Sequence, residues 1–94
     1  MKKNQLLSEE LHRLIVSYHD GSSDLAHLSQ RTETLIEAMR PHLLADTFLK
    51  AMNCVYLIED INALVIDENR QITAVERHDI HAQLSILENL LATK

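Results

Sequence analysis

The chain has 94 residues, of which 46% are hydrophobic, and its formal net charge is −5 with histidine neutral. This length predicts a single domain, residues 1–94, with a core that is real but small. The negative charge argues against non-specific binding to nucleic acid or to an anionic membrane, because both depend on basic patches.

Turn-forming residues are scarce, with one glycine and one proline in the chain, and this favours a few long helices over an all-β fold. The first helix is predicted over residues 4–19, where apolar side chains recur at spacings of three and four. Residues 20–23, Asp-Gly-Ser-Ser, then predict a turn.

The second helix is predicted over residues 23–39, with Ser23 as its N-cap and Asp24 in its first turn. Pro41 disfavours helical geometry at Arg40, so it either ends this helix or kinks it. We expect a break, because proline is well suited to the first position of the next helix.

The third predicted helix, residues 42–66, is unusually apolar. Two neighbouring lines of apolar side chains together cover about 200° of its second half, whereas a helix that packs on one side needs a stripe of about 100°. This helix is therefore predicted to be central in the bundle or to pair with a second copy of the chain. The predicted interface residues are Phe48, Val55, Leu57, Ile58, Ile61, Asn62, Leu64 and Val65.

Asn62 is a polar residue within one of these apolar lines, between Ile58 and Val65. A buried amide costs stability unless it is hydrogen-bonded. Two interpretations follow: Asn62 bonds to a neighbouring helix or loop of its own chain, or it fixes the register of a dimer.

A loop over residues 67–71 precedes the fourth predicted helix, residues 73–92. Thr73 and Glu76 match a capping box at its start. Four amphipathic helices with short connections predict an all-α fold, a small antiparallel helical bundle, which dimerisation would complete if the third helix lies at an interface.

No pattern in the sequence predicts catalysis, a cofactor or a metal site. A phosphate-binding loop cannot be built from a single glycine. The acidic pairs at 9–10, 59–60 and 67–68 are adjacent in sequence, so their carboxyl groups diverge instead of facing each other across a substrate. Cys54, the only cysteine, is predicted to be buried and unreactive.

Two of the six histidines, His78 and His81, are three residues apart on the fourth helix. They could approach one metal ion, but a zinc site needs three or four ligands. We therefore expect exposed histidines. A contact that depends on pH is the other interpretation, because histidine changes its charge near pH 6.5.

By elimination, the sequence predicts a binding module that sequesters or stabilises a partner protein. The classes that fit are a regulator, a secretion chaperone, and an immunity or inhibitor protein. We expect a homodimer, no enzymatic activity, no cofactor, and no contact with nucleic acid or membrane. The absence of a signal-like or membrane-spanning apolar segment predicts a cytoplasmic protein.

Two alternatives stay open. The first is a helical bundle that binds a metal through His78 and His81. The second is a nucleic-acid-binding dimer with a helix-turn-helix element, which the short turn after the first helix permits and the negative charge opposes.

Overall fold

The structure is a computed structural model that describes the backbone of residues 3–91 and the side chains of residues 5–91. Consecutive helices pack against each other, and the fourth returns to the first. The predicted all-α bundle of four helices is confirmed, and residues 3–91 contain no strand. The helices are α1 (Lys3–His19), α2 (Leu25–Met39), α3 (Ala45–Asp67) and α4 (Ala74–Leu91).

Two helices end on a residue with a positive φ angle, Gly21 after α1 (φ 87°) and Asn69 after α3 (φ 50°). In both turns the next residue's N–H donates across the helix end, from Ser22 to the Ser17 carbonyl and from Arg70 to the Val65 carbonyl. This is the Schellman arrangement, which glycine and asparagine adopt with little strain. The local sequence thus stops both helices and reverses the chain.

The boundaries of α2 differ from the prediction at the N-terminal end. Its N-cap is Asp24 instead of Ser23, and the Asp24 carboxylate accepts a hydrogen bond of 2.8 Å from the His27 N–H. Ser23 still belongs to the preceding turn, because its N–H donates to the Ser17 carbonyl.

The predicted break at Pro41 is confirmed, but α3 begins three residues later than predicted. Pro41 lies in a short 3-10 turn, Arg40–His42. The next two residues, Leu43 and Leu44, are extended, so helical geometry resumes only at Ala45. The predicted end of the fourth helix, residue 92, lies outside the described residues.

The predicted capping box at the start of α4 is confirmed. Thr73 Oγ1 accepts from the Glu76 N–H at 3.1 Å, and the Glu76 carboxylate accepts from the Thr73 N–H at 3.0 Å. Arg70 donates to both oxygens of the same carboxylate at 2.8 Å, and it also bonds to Glu68. Chiefly because of Arg70, the pKa of Glu76 is about 2, below its usual 4.5. Arg70 therefore fastens the end of α3 to the start of α4.

The core is one cluster to which all four helices contribute aliphatic side chains. Cys54 is buried within it, as predicted, and burial raises the pKa of its thiol. A raised pKa leaves little of the reactive thiolate at neutral pH. The buried apolar residues are Leu11, Leu14, Ile15, Leu28, Leu35, Ile36, Met39, Ala51, Met52, Cys54, Val55, Ile58, Ile80, Leu84, Leu87 and Leu91.

One polar group in this core has no hydrogen-bond partner among the described residues, the hydroxyl of Thr32 on α2. Thr32 is 0% exposed, so bulk solvent does not reach this hydroxyl. An unsatisfied buried hydroxyl costs roughly 1–3 kcal/mol. We expect Thr32→Val, which keeps the shape and removes the hydroxyl, to raise the free energy of unfolding by about 1 kcal/mol.

Urea denaturation followed by circular dichroism measures this change. Thr34→Val is the matched control, because Thr34 lies on the same helix, is exposed, and donates its hydroxyl hydrogen to the Gln30 carbonyl. The control should stay within about 0.5 kcal/mol of the parent protein. A destabilised Thr32→Val variant would show that the hydroxyl has a partner.

Candidate functional site

The third helix, α3, packs against α2 and α4, just as α2 packs against α1 and α3, so the structure does not single it out as the central helix that the sequence predicts. Its buried residues are Ala51, Met52, Cys54, Val55 and Ile58, and their spacing places them on one side of the helix. We call this buried side the inner side of α3. It includes Met52, whereas Leu57, one of the predicted interface residues, lies on the exposed side. The helix is therefore turned so that part of the predicted apolar surface faces outward.

The predicted interface residues are divided between the two sides of α3. Val55 and Ile58 belong to the core of the single chain, and Phe48 and Ile61 pack against that core. Asn62 and Val65 are half-buried, so the Asn62 amide keeps access to water. Leu57 is 49% exposed and Leu64 is 43% exposed. These two leucines are the members of the set that the structure leaves open to a partner.

Exposed apolar side chains are concentrated on α3. Of the ten large ones among the described residues, five lie in α3, two in α1, two in α4 and none in α2, and the tenth is the N-cap residue Leu44. Single exposed apolar residues are ordinary, whereas a large contiguous apolar patch is typical of an interaction surface. The five in α3 are Leu49, Tyr56, Leu57, Leu64 and Ile66.

Four of these five side chains form two lines along α3. Leu49 and Tyr56 are seven residues apart, and so are Leu57 and Leu64, which places each pair on one side of the helix two turns apart. We call the surface made by these four residues the outer face of α3. The apolar side chains of this face therefore lie in two parallel lines and do not form one continuous stripe.

A second surface feature lies between α1 and α4, a cavity of about 340 Å³. His12 Nδ1 and a Glu88 carboxylate oxygen are 2.7 Å apart and form a hydrogen bond at its wall. The nearby Ser8 hydroxyl donates to the Leu91 carbonyl at 2.8 Å instead of to His12. The pair therefore lacks the nucleophile that a Ser-His-acid arrangement requires, and it serves to join the two helices.

The two histidines singled out by spacing do not act together. His78 and His81 are both exposed, as predicted, but the His81 ring packs edge-on against the His19 ring of α1, with 4.5 Å between ring centres. Tyr18 lies beside them, 6.3 Å from His81. Within residues 5–91, no three His, Cys, Asp or Glu side chains are grouped closely enough to hold a metal ion.

The pKa of His81 lies below its usual value of 6.5. Partial burial is the main cause, and the positive charges of His19, Arg77 and His78 add to it. The folded protein therefore binds this proton less readily than the unfolded chain does. The contribution of neutral His81 to the free energy of unfolding is therefore fully present above pH 6.5 and is lost as the pH drops below that value.

We expect His81→Gln to be more stable at pH 5.5, relative to pH 7.5, than the parent protein is, because the variant lacks the group that the folded chain protonates less readily. Glu59, whose pKa is raised to about 7, acts in the opposite direction in both proteins and cancels in this comparison. Thermal unfolding of both proteins followed by circular dichroism at the two pH values measures the difference. His27→Gln is the control, since His27 is exposed on α2, away from the ring pair. An identical pH dependence in the parent protein and the His81 variant would contradict the assignment.

No helix in the described part of the chain combines the length and the apolar composition that crossing a bilayer requires. Comparisons of the chain with protein-family models, with curated proteins and with solved structures found no match.

Proposed function

We propose that this protein is an interaction module whose outer face of α3 binds another protein and thereby sequesters or stabilises it. The observation that carries the proposal is the concentration of exposed apolar side chains on a helix whose other side is already packed in the core. Burying such side chains against a partner removes apolar surface from water, which is the main favourable term in protein association.

The burial pattern favours this face over the rest of the surface. The cavity between α1 and α4 has the charged residues Glu9, Arg13 and Glu88 in its wall, and His12 bonds to Glu88 there. The outer face of α3 instead presents three leucines and a tyrosine. Aromatic residues such as Tyr56 are also enriched at the centres of protein interfaces.

Site-specific photo-crosslinking in the cells that express the protein tests this proposal. We expect a benzophenone amino acid at position 57 to give a discrete product of higher mass after irradiation. The same substitution at position 6 is the matched control, because Leu6 and Leu57 are the same residue type and are both 49% exposed. Mass spectrometry of the product identifies the partner chain.

A product from position 57 alone supports the outer face of α3 as the binding surface. Equal products from both positions, or none from position 57, would contradict the proposal. A product of twice the mass of one chain would identify the partner as a second copy, which is the homodimer that the sequence predicts.

A further inference from the structure

The outer face of α3 has the dimensions of a site for one partner helix. From Leu49 to Leu64 the helix rises about 22 Å, at about 1.5 Å per residue. This equals about four turns of an opposing helix. An amphipathic helix presents apolar side chains at spacings of three and four, which match two parallel lines of this length.

The strip between the two apolar lines is polar and acidic. On a helix with 100° per residue, Asn53 and Asp60 fall between the Tyr56 line and the Leu57 line, and both are exposed. A helix that contacts both lines covers Asp60. A carboxylate covered in this way must be paired with a cation, because an unpaired buried charge is strongly unfavourable.

On α2 and α3 the carboxylates outnumber the lysine and arginine side chains. Arg40, at the end of α2, is in none of the ion pairs of the described side chains, but its guanidinium lies over the Phe48 ring, 5.0 Å from the ring centre. Lys50, the only basic residue of α3, is already 3.0 Å from Asp46. Arg31 on α2 pairs with Glu10, and Arg70 pairs with Glu68 and Glu76. Among the described side chains, the carboxylates of α2 and α3 that form no ion pair are Glu33, Glu37, Glu59, Asp60 and Asp67.

The accumulated negative charge perturbs one of these groups. The pKa of Glu59 is about 7 instead of 4.5, because partial burial, Glu33 and Asp60 all oppose its ionisation. Glu59 is therefore only partly ionised at neutral pH, and a cation of a partner placed beside it would favour the ionised form.

A second copy of the chain is poorly suited to this face. Its α3 would bring one lysine and four carboxylates, Asp46, Glu59, Asp60 and Asp67. Pairing two such helices places like charges together, which disfavours association. The two apolar lines are compatible with a second copy of the chain, but the carboxylates between and beside these lines oppose it.

We infer that the outer face of α3 binds a basic amphipathic helix of a partner protein. Leucine-type side chains of that helix pack on the Leu49–Tyr56 and Leu57–Leu64 lines, and a lysine or arginine meets Asp60. This inference rests on the proposed function and adds the chemistry of the partner.

Synthetic helices test the inference directly. The probe is a fluorescein-labelled peptide of 18 residues, with a leucine stripe at helical spacing and lysines beside the stripe. The comparison peptide keeps the leucines and replaces every lysine with glutamate. We expect fluorescence anisotropy to show saturable binding of the lysine peptide, weakened by added salt, and no binding of the glutamate peptide.

Variants of the protein then locate the binding surface. We expect Leu57→Ser with Leu64→Ser to weaken binding of the lysine peptide by roughly tenfold or more. The matched control is Leu6→Ser with Val16→Ser on α1, where the exposures are 49% and 47%, and it should bind as the parent does. We also expect Asp60→Asn to weaken binding by roughly tenfold and Glu9→Gln, on α1, to leave it unchanged.

The inference would be overturned if the two peptides bound equally, if the α1 control lost as much affinity as the Leu57 and Leu64 variant, or if Asp60→Asn bound as the parent does. It would also be overturned if the parent protein sedimented as a dimer that the Leu57 and Leu64 substitutions dissociate, because a second copy would then cover the face. If only the partner's chemistry is wrong, crosslinking from position 57 still yields a protein partner. If the double variant fails to fold, Asp60→Asn and the peptide pair still decide.

Discussion

Ile58→Asp is expected to unfold the protein or to leave it barely folded. Ile58 is 0% exposed on the inner side of α3, among core residues from the other helices. An unpaired buried carboxylate costs about 3–5 kcal/mol. The total stability of a domain of this size is about 5–14 kcal/mol, so the loss removes a large part of it. Urea denaturation followed by circular dichroism measures the change.

Leu57→Asp is the matched control for this substitution. It places the same charge on the neighbouring residue, whose side chain is 49% exposed, and should change the free energy of unfolding by no more than about 0.5 kcal/mol. Similar losses in the two variants would mean that the inner and outer sides of α3 are assigned incorrectly. An unchanged denaturation midpoint for Ile58→Asp would have the same meaning.

Leu84→Ala is expected to destabilise the protein by about 2–5 kcal/mol. Leu84 is 1% exposed and is one of the residues through which α4 enters the core. Truncation removes buried apolar surface and leaves a cavity that the surrounding helices fill only in part. Each 1 kcal/mol corresponds to about 4–8 °C for a domain of this size, so the melting temperature should fall by about 8 °C or more.

Ile86→Ala, two residues away on the same helix, is the control for this loss. Ile86 is 43% exposed, so its truncation removes less buried surface and leaves no closed cavity. Its melting temperature should fall by a smaller amount. If the two variants have the same melting temperature, α4 does not pack into the core through the side that carries Leu84.

The helices and their ends were largely predictable because their signals are local. Apolar spacings of three and four identify each helix, and the capping box at Thr73 and Glu76 marks the start of α4 correctly. The break at Pro41 follows from the restricted geometry of proline. The misplaced start of α3 arises because the extended conformation of Leu43 and Leu44 leaves no distinct pattern in the sequence.

The contacts between helices were not predictable from spacing along the chain. The pairing of His81 with His19 joins residues 62 positions apart, and the 2.6 Å ion pair of Arg31 with Glu10 joins α2 to α1. Such contacts depend on how each helix is rotated in the bundle. In the sequence, Glu9 and Glu10 are only an adjacent acidic pair, and nothing there indicates the arginine partner of Glu10.

The rotation of α3 limits what the sequence can reveal about the site. Periodicity identifies Leu57 and Ile58 as equally apolar neighbours, yet one is exposed and the other is buried. Only the positions of α2 and α4 decide which of these two side chains is covered. A sequence pattern therefore predicts how much apolar surface a helix carries, but it does not separate the part used for folding from the part left for a partner.

The link made by Arg70 has a consequence for how a partner would associate. Because its guanidinium bonds to Glu68 and Glu76, the corner between α3 and α4 is held by hydrogen bonds that need no partner. In the proposed complex, this corner would then lose little conformational entropy. The ordering penalty would fall on the incoming segment, and it would be smaller if that segment were already helical.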